Sequence, residues 1–350
     1  MRFTRSLTLA LFLTSSPWLC ADERIEGLSQ DALQQAFHVL KRDYIRPEAL
    51  SYDELNKAAF EGLLRRLSYG AQLVARHHSE EEKGTEGRFL GETITKDVGY
   101  VRFASYREDE VELLDQALIQ FEDAGAETLI LDLRVPAPEA QFKAAARILD
   151  RFVPTNTLLF QIQHPGETRP ELFFSQVSST RWRGEKLLLL IDPETPNVGE
   201  IIAASIDSNR DCFMIGATTK GLTVQYHYIP LSEDTMLRYA VAEVLLADGT
   251  SLFKQGVQPD FDVAPDIESK RKVFAASESG AIQGYLFETA RPRINEAALV
   301  HETDPELDYH LTRSRGETTK FDTVPLQDLT LQRSLDLLTT LDQLDDEESE

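Results

Sequence analysis

Few side chains in this chain combine the type and spacing needed to act chemically on a substrate. Nucleophilic catalysis needs a hydroxyl or thiol beside a base that can take its proton. The hydroxyls of Ser205 and Ser208 and the imidazole of His227, within Val224-Gln225-Tyr226-His227-Tyr228, are the components at hand. Ser208 has no histidine beside it in sequence, and a strand histidine flanked by tyrosines is ordinarily a surface or packing residue. A displaced Ser208–His227 pair therefore stands as a secondary nucleophilic reading. Asn197 followed three residues later by Glu200 spells a capping pair at a helix start, a structural role that needs no substrate. His77-His78 have no further ligands at metal spacing, so no metal or other cofactor is expected. Cys212 sits in Cys212-Phe213-Met214-Ile215, where a buried structural thiol is expected rather than a reactive one.

These groups must be positioned by elements that the hydrophobic spacing marks out. Ser29 caps a first helix with Leu33, Ala36, Phe37 and Leu40 on one face. Ser51 with Glu54 forms a capping box for a second helix through Leu55, Ala58, Ala59, Gly62 and Leu63. The polar, aperiodic run from His77 to Gly84 reads as a solvated linker. From Val98 strands and helices alternate. Strands are expected at 98–103, 128–133, 157–163, 186–191, 211–215, 224–231 and 237–246, with helices on Val111, Leu114, Leu118 and Phe121, on Phe142, Ala145, Ala146 and Leu149, and from about Asn197. That order implies an α/β core of stacked sheet and helices. The chain closes with leucines at helical spacing over 326–344 and an acidic end.

The first residues join Arg2 and Arg5 to an apolar run from Leu7 to Leu13 and then Leu19-Cys20-Ala21 before Asp22-Glu23. This is the layout of a secretory signal peptide cleaved after Ala21, because the apolar run falls short of the ~20 residues of a spanning helix. Periplasmic or extracellular localisation follows, with no membrane insertion after cleavage. Cys20 leaves with the leader, so Cys212 has no intrachain disulfide partner. A formal charge of -23 would repel nucleic acid and anionic lipid, and neither is an expected partner. At 350 residues and 42% hydrophobic the chain can bury one main domain with helical additions at both ends.

The stretches 98–103, 128–134, 187–216, 224–225 and 256–260, the last reading Gly256-Val257-Gln258-Pro259-Asp260, resemble the C-terminal-processing (tail-specific) serine peptidases of the S41 type, over about 29–263. The resemblance implies an α/β fold, the core shared with ClpP-type peptidases and crotonases, with N-terminal helices and a C-terminal helix. It divides the chain into a signal peptide at 1–21, an N-terminal helical region at 22–76, a linker at 77–97 where relatives carry a peptide-binding PDZ domain, a protease-like core at 98–265, and a C-terminal extension at 266–350.

The same resemblance assigns the site and empties it. With Glu200-Ile201 and Val224-Gln225 as anchors, the family's nucleophilic serine falls on Asn197, flanked by Thr195 and Gly199, and a family aspartate falls on Ser208. A carboxamide cannot become an alkoxide. Lys220 matches the family's general-base lysine only if a gap is moved, and a base lysine must be desolvated. The family's oxyanion loop reads Asp-Leu-Arg-x-Asn-x-Gly-Gly. Here Pro138 has no N–H to donate and Glu139 adds negative charge, with Val198 as the remaining backbone donor of that group. Losing one such donor typically costs ~3 kcal/mol of transition-state stabilisation. The expectation is a catalytically silent peptidase homologue that binds an extended peptide or an unfolded C-terminus, or serves as an oligomeric scaffold. The alternative is an active serine peptidase with a relocated serine and Lys220 as base.

Overall fold

A computed structural model describes residues 27–46, 50–76, 88–137, 141–278, 280, 282–286, 314–315 and 326–349. The leader at 1–21, His77 and His78, and the oxyanion-loop residues Pro138 and Glu139 lie outside the described residues. The chain divides into two units, Met1–Ser68 and Tyr69–Glu350.

The first unit contains α1 (Gln30–Asp43) and α2 (Tyr52–Leu67), each opened by a serine whose Oγ accepts a backbone N–H at 3.2 Å, from Ala32 and Glu54. The box at Ser51 is only half formed, because the Glu54 carboxylate pairs with Lys57 Nζ (3.0 Å) one turn on. Neither helix has a buried residue.

The second unit is built on two sheets. A six-stranded sheet runs β11-β8-β7-β4-β3-β2, from Phe261–Asp262, Phe213–Gly216, Lys186–Ile191, Thr128–Asp132, Val98–Arg102 and Leu90–Thr95. Every pair in it is parallel except β2 with β3. The strands β3, β4 and β7 are buried on both faces, so their sequences are nearly continuous apolar runs instead of alternating ones. Along β4, Leu129 and Leu131 join a core shared with α3 (Glu108–Ala124), α4 (Phe142–Leu149), α5 (Asn197–Asp207) and the second sheet. Ile130 points the other way, into a core covered by α6 (Ile267–Ala276) and α7 (Leu329–Ser349) through Val273, Leu331 and Leu338. Gly99 on β3 marks the closest approach of α3, since a Cβ there would lie 2.6 Å from the Phe121 ring.

The second sheet centres on the twelve-residue β10 (Thr235–Leu246). One edge of β10 pairs first with β1 (Ala71–Ala75) and then with β5 (Leu158–Gln163), which carries β6 (Glu171–Phe174); its other edge pairs with β9 (Val224–Pro230). Besides the two-residue β11, three strands go beyond the sequence expectation. β1 lies inside the stretch expected to be helical, β2 inside the stretch expected to be linker, and β6 between called strands. Leu90-Gly91-Glu92-Thr93 and the exposed Glu171-Leu172 lack the apolar alternation that marks a strand, and pairing with a formed neighbour supplies what the local sequence does not.

Candidate functional site

In open parallel sheets ligands settle at the carboxyl ends of the strands, and here β4 ends in Asp132 and Asp192 directly follows β7. From Asp192 the chain turns into α5. Thr195 Oγ1 accepts from Asp192 N (3.0 Å), Thr195 N donates to Asp192 O (3.0 Å), and Asp192 Oδ1 accepts from Glu194 N (2.7 Å). Pro196 occupies the cap position and offers no side-chain bond. The half-buried Asn197 follows as the first helical residue. Its Nδ2 donates to Val224 O (3.1 Å) and its Oδ1 accepts from the next backbone amide, Val198 N (2.8 Å). The carboxamide thus ties α5 to the start of β9 and occupies the Val198 N–H, the donor assigned to an oxyanion.

The capping pair expected of Asn197 and Glu200 does not form. Glu200 is fully buried and points away from the cap, its two carboxyl oxygens accepting from Gly221 N and Leu222 N, each at 2.6 Å. Burial lifts its pKa from 4.5 to about 7, against the opposing pull of the Thr219 hydroxyl, the two amides and the Lys220 charge. Gly221 has φ +69°, and a Cβ there would sit 2.4 Å from Leu252 O, so this turn of the loop has no room for a side chain. Lys220 beside it is exposed. The loop is pinned from behind by the Gly256–Asp260 turn: Thr219 N donates to Val257 O (3.0 Å), Thr219 Oγ1 accepts from Val257 N (2.8 Å), and Asp260 exchanges bonds with Met214.

A few residues away the strand ends carry a buried ionic cluster. Arg134 Nε and Nη2 donate to the two oxygens of Asp132 (2.8 and 2.5 Å), and its Nη1 and Nη2 donate to Asp328 (2.9 and 2.7 Å). Tyr100 Oη donates to Asp132 (2.8 Å), and Asp328 accepts from Leu331 N (3.0 Å), capping α7. Burial by itself would lower the Arg134 pKa, yet the two carboxylates hold it well above its ordinary value. Lys270, also buried, donates to Asp192 Oδ2 (2.5 Å), to Arg134 O (2.9 Å) and to Glu194 Oε2 (2.9 Å). Asp132 and Arg134 fall in the stretch 128–134 that carries the family resemblance, whereas Asp328 and Lys270 were not singled out in the sequence. Asp328 ahead of a leucine-rich helix was a legible cap signal; its ionic partner 194 residues away was not.

The remaining candidates are dispersed. Ser208 lies at the far end of α5 from Asn197 and donates to Ala204 O (2.8 Å), whereas His227 is an exposed β9 residue edge-on to the Tyr239 ring. Eleven residues of helix span about 16 Å, so Ser208 and Asn197 do not share a site. Ser205 is buried and donates to Leu159 O (3.2 Å). Cys212 is half-buried, and burial followed by the charges of Asp207 and Asp260 pushes its thiol up to about 12, an unreactive state. Two buried hydroxyls, Tyr106 and Thr223, have no hydrogen-bond partner among the described residues.

The model of Peptidase family S41 matches residues 97–263. The carboxyl-terminal-processing protease of Synechocystis sp. is 24% identical over 163 residues, covering 47% of this chain and 37% of that protein. The carboxy-terminal processing protease CtpA of Bacillus subtilis is 24% identical over 162 residues, covering 46% and 34%. The match thus spans little more than a third of these relatives. A solved structure from Parabacteroides merdae superposes with a TM-score of 0.51 at 17% identity, over 70% of this chain and 85% of that one, a likeness of fold.

Proposed function

We propose that this chain, whose residues 97–263 match the model of Peptidase family S41, is an exported, non-hydrolytic member of that family that holds extended peptide segments. The observation that carries the reading is the engagement of Asn197. Its carboxamide is bonded at both ends to backbone, at the helix entrance on which the family resemblance of the sequence puts the nucleophile. A serine hydroxyl attacks only when a neighbouring base takes its proton. Lys220 is exposed, and Val198 N is already occupied.

Export rests on the leader pattern of residues 1–21, and recovery of the processed chain beginning at Asp22 outside the cytoplasm tests it. The catalytic half is tested by incubating purified protein with unfolded casein and following new amino termini. No release is expected. Release that disappears in Lys220→Ala or Ser208→Ala would instead establish the relocated-serine enzyme, with Lys220 as base.

A further inference from the structure

The second sheet ends on one side in β9, whose outer edge offers unused backbone groups. Leu231 N donates to Thr235 O and Val244 N to Thr223 O, both at 2.9 Å, so odd-numbered residues of β9 face β10. The irregularity in this pairing lies in β10, between Ala240 and Ala242, and leaves that alternation intact. Even-numbered residues therefore turn their backbone outward. Val224 is closed, its C=O taken by Asn197 and its N–H by Leu222 O (2.7 Å). Tyr226 and Tyr228 present free N–H and C=O groups with no partner strand among the described residues, and Pro230, which has no N–H, lies on the same side. The edge of β2 is different, because Gln283 Nε2 covers it by donating to Thr93 O (3.0 Å) and Ile94 O (2.7 Å). An open edge of this kind is completed by an extended chain, whose backbone supplies affinity and whose alternate side chains supply selectivity.

The two faces beside β9 differ in chemistry. On one, Arg238 lies opposite Tyr228 and stacks over the Tyr226 ring at 4.4 Å. It donates from Nη2 to Gln72 Oε1 (2.6 Å), and its buried Nε has no partner. On the other, Ile229 and Leu231 are exposed in register with Leu237 and Thr235, next to exposed Leu73. Near the closed end two exposed lysines, Lys220 and Lys254, sit on loops joined by Lys254 N donating to Gly221 O (2.9 Å), and neither has an ion-pair partner among the described residues. In a chain of charge -23 this concentration of unpaired cations favours an anionic partner.

We propose that the outer edge of β9, through Tyr226 and Tyr228, docks an extended peptide that carries acidic side chains on the Arg238 face and apolar side chains on the Ile229 face. The proposal rests on the peptide-binding reading above and names the edge and the selectivity.

Fluorescence polarisation on the full chain tests it with a labelled peptide of alternating glutamate and valine, and with its lysine–valine counterpart. The glutamate peptide should bind about tenfold tighter or better, and Arg238→Gln should remove most of that preference. Tyr228→Pro deletes an outward N–H that the β9–β10 ladder does not use, and should weaken binding at least about tenfold while the melting temperature holds. Methylating alternate backbone nitrogens of the glutamate peptide makes the same cut from the ligand side, should Tyr228→Pro fail to fold. Binding that survives both the proline and the methylation removes β9 as the dock while leaving a peptide binder. Equal binding of the lysine peptide removes the acidic selectivity. If neither peptide binds, the peptide-binding reading falls with it.

Discussion

Two regions at the carboxyl ends of the central strands have been treated differently. Around Arg134 and Lys270 every charge is buried and answered: Asp132 and Asp328 flank the guanidinium, and Asp192 and Glu194 flank the ammonium. At the entrance of α5 the polar side chains are spent on backbone, with Asn197 on Val224 and Val198, and Glu200 on Gly221 and Leu222. The first arrangement binds β4, β7, α6 and α7 to one another. The second fastens the loop 219–224 to the helix. The two arrangements meet in the turn at Asp192 and Glu194, yet Arg134 and Asn197 share no hydrogen-bond partner, so each can be substituted without removing the other's bonds.

The sharpest break in that contrast is Arg134→Met. It strands two buried carboxylates, and removal of one partner from such a cluster costs about 3–5 kcal/mol, readable as a lowered urea midpoint. Glu200 gives the next effect, and one that depends on pH. Its folded pKa of about 7 lies above the ordinary 4.5, so the folded state binds the proton more tightly than the unfolded chain does. The stabilisation is complete below 4.5 and is lost as pH rises through 7, a span of about 3 kcal/mol. Plotted against pH, the stability of the native chain minus that of Glu200→Gln should fall across this window; a flat difference would mean that the carboxyl is charged throughout. Asn197→Ala comes third. It frees Val224 O and Val198 N at a half-buried site and should cost about 1 kcal/mol in thermal unfolding. The smallest expected effect is on activity in Asn197→Ser. The hydroxyl returns, but without a desolvated base beside it casein should remain intact, and measurable hydrolysis would show that one side chain alone silenced the site.

Much of the fold was written in the local sequence, because strands buried on both faces, such as Leu129-Ile130-Leu131 and Leu187-Leu188-Leu189-Leu190, can be little else. The strands β1, β2 and β6 were not, since half-exposed residues paired with a formed neighbour carry almost no periodic signal of their own. At the site, sequence identified the carboxamide at position 197 but assigned Glu200 to the wrong partner. A glutamate three residues into a helix is chemically able to fold back on its cap, and only the proximity of loop 219–224 offers it two better donors.

The amino-acid sequence by itself determined the order of the apolar strands and of the helices between them, and the absence of a hydroxyl at position 197, because both are properties of residue type and near-neighbour spacing. Tertiary structure alone decided that Glu200 is buried, that Lys220 faces solvent, that Arg134 meets Asp328, and that β9 has no outer partner strand among the described residues. Each of these depends on which distant segments are brought together, and burial, charge pairing and strand partnership are set by those neighbours and not by the residues' own identities.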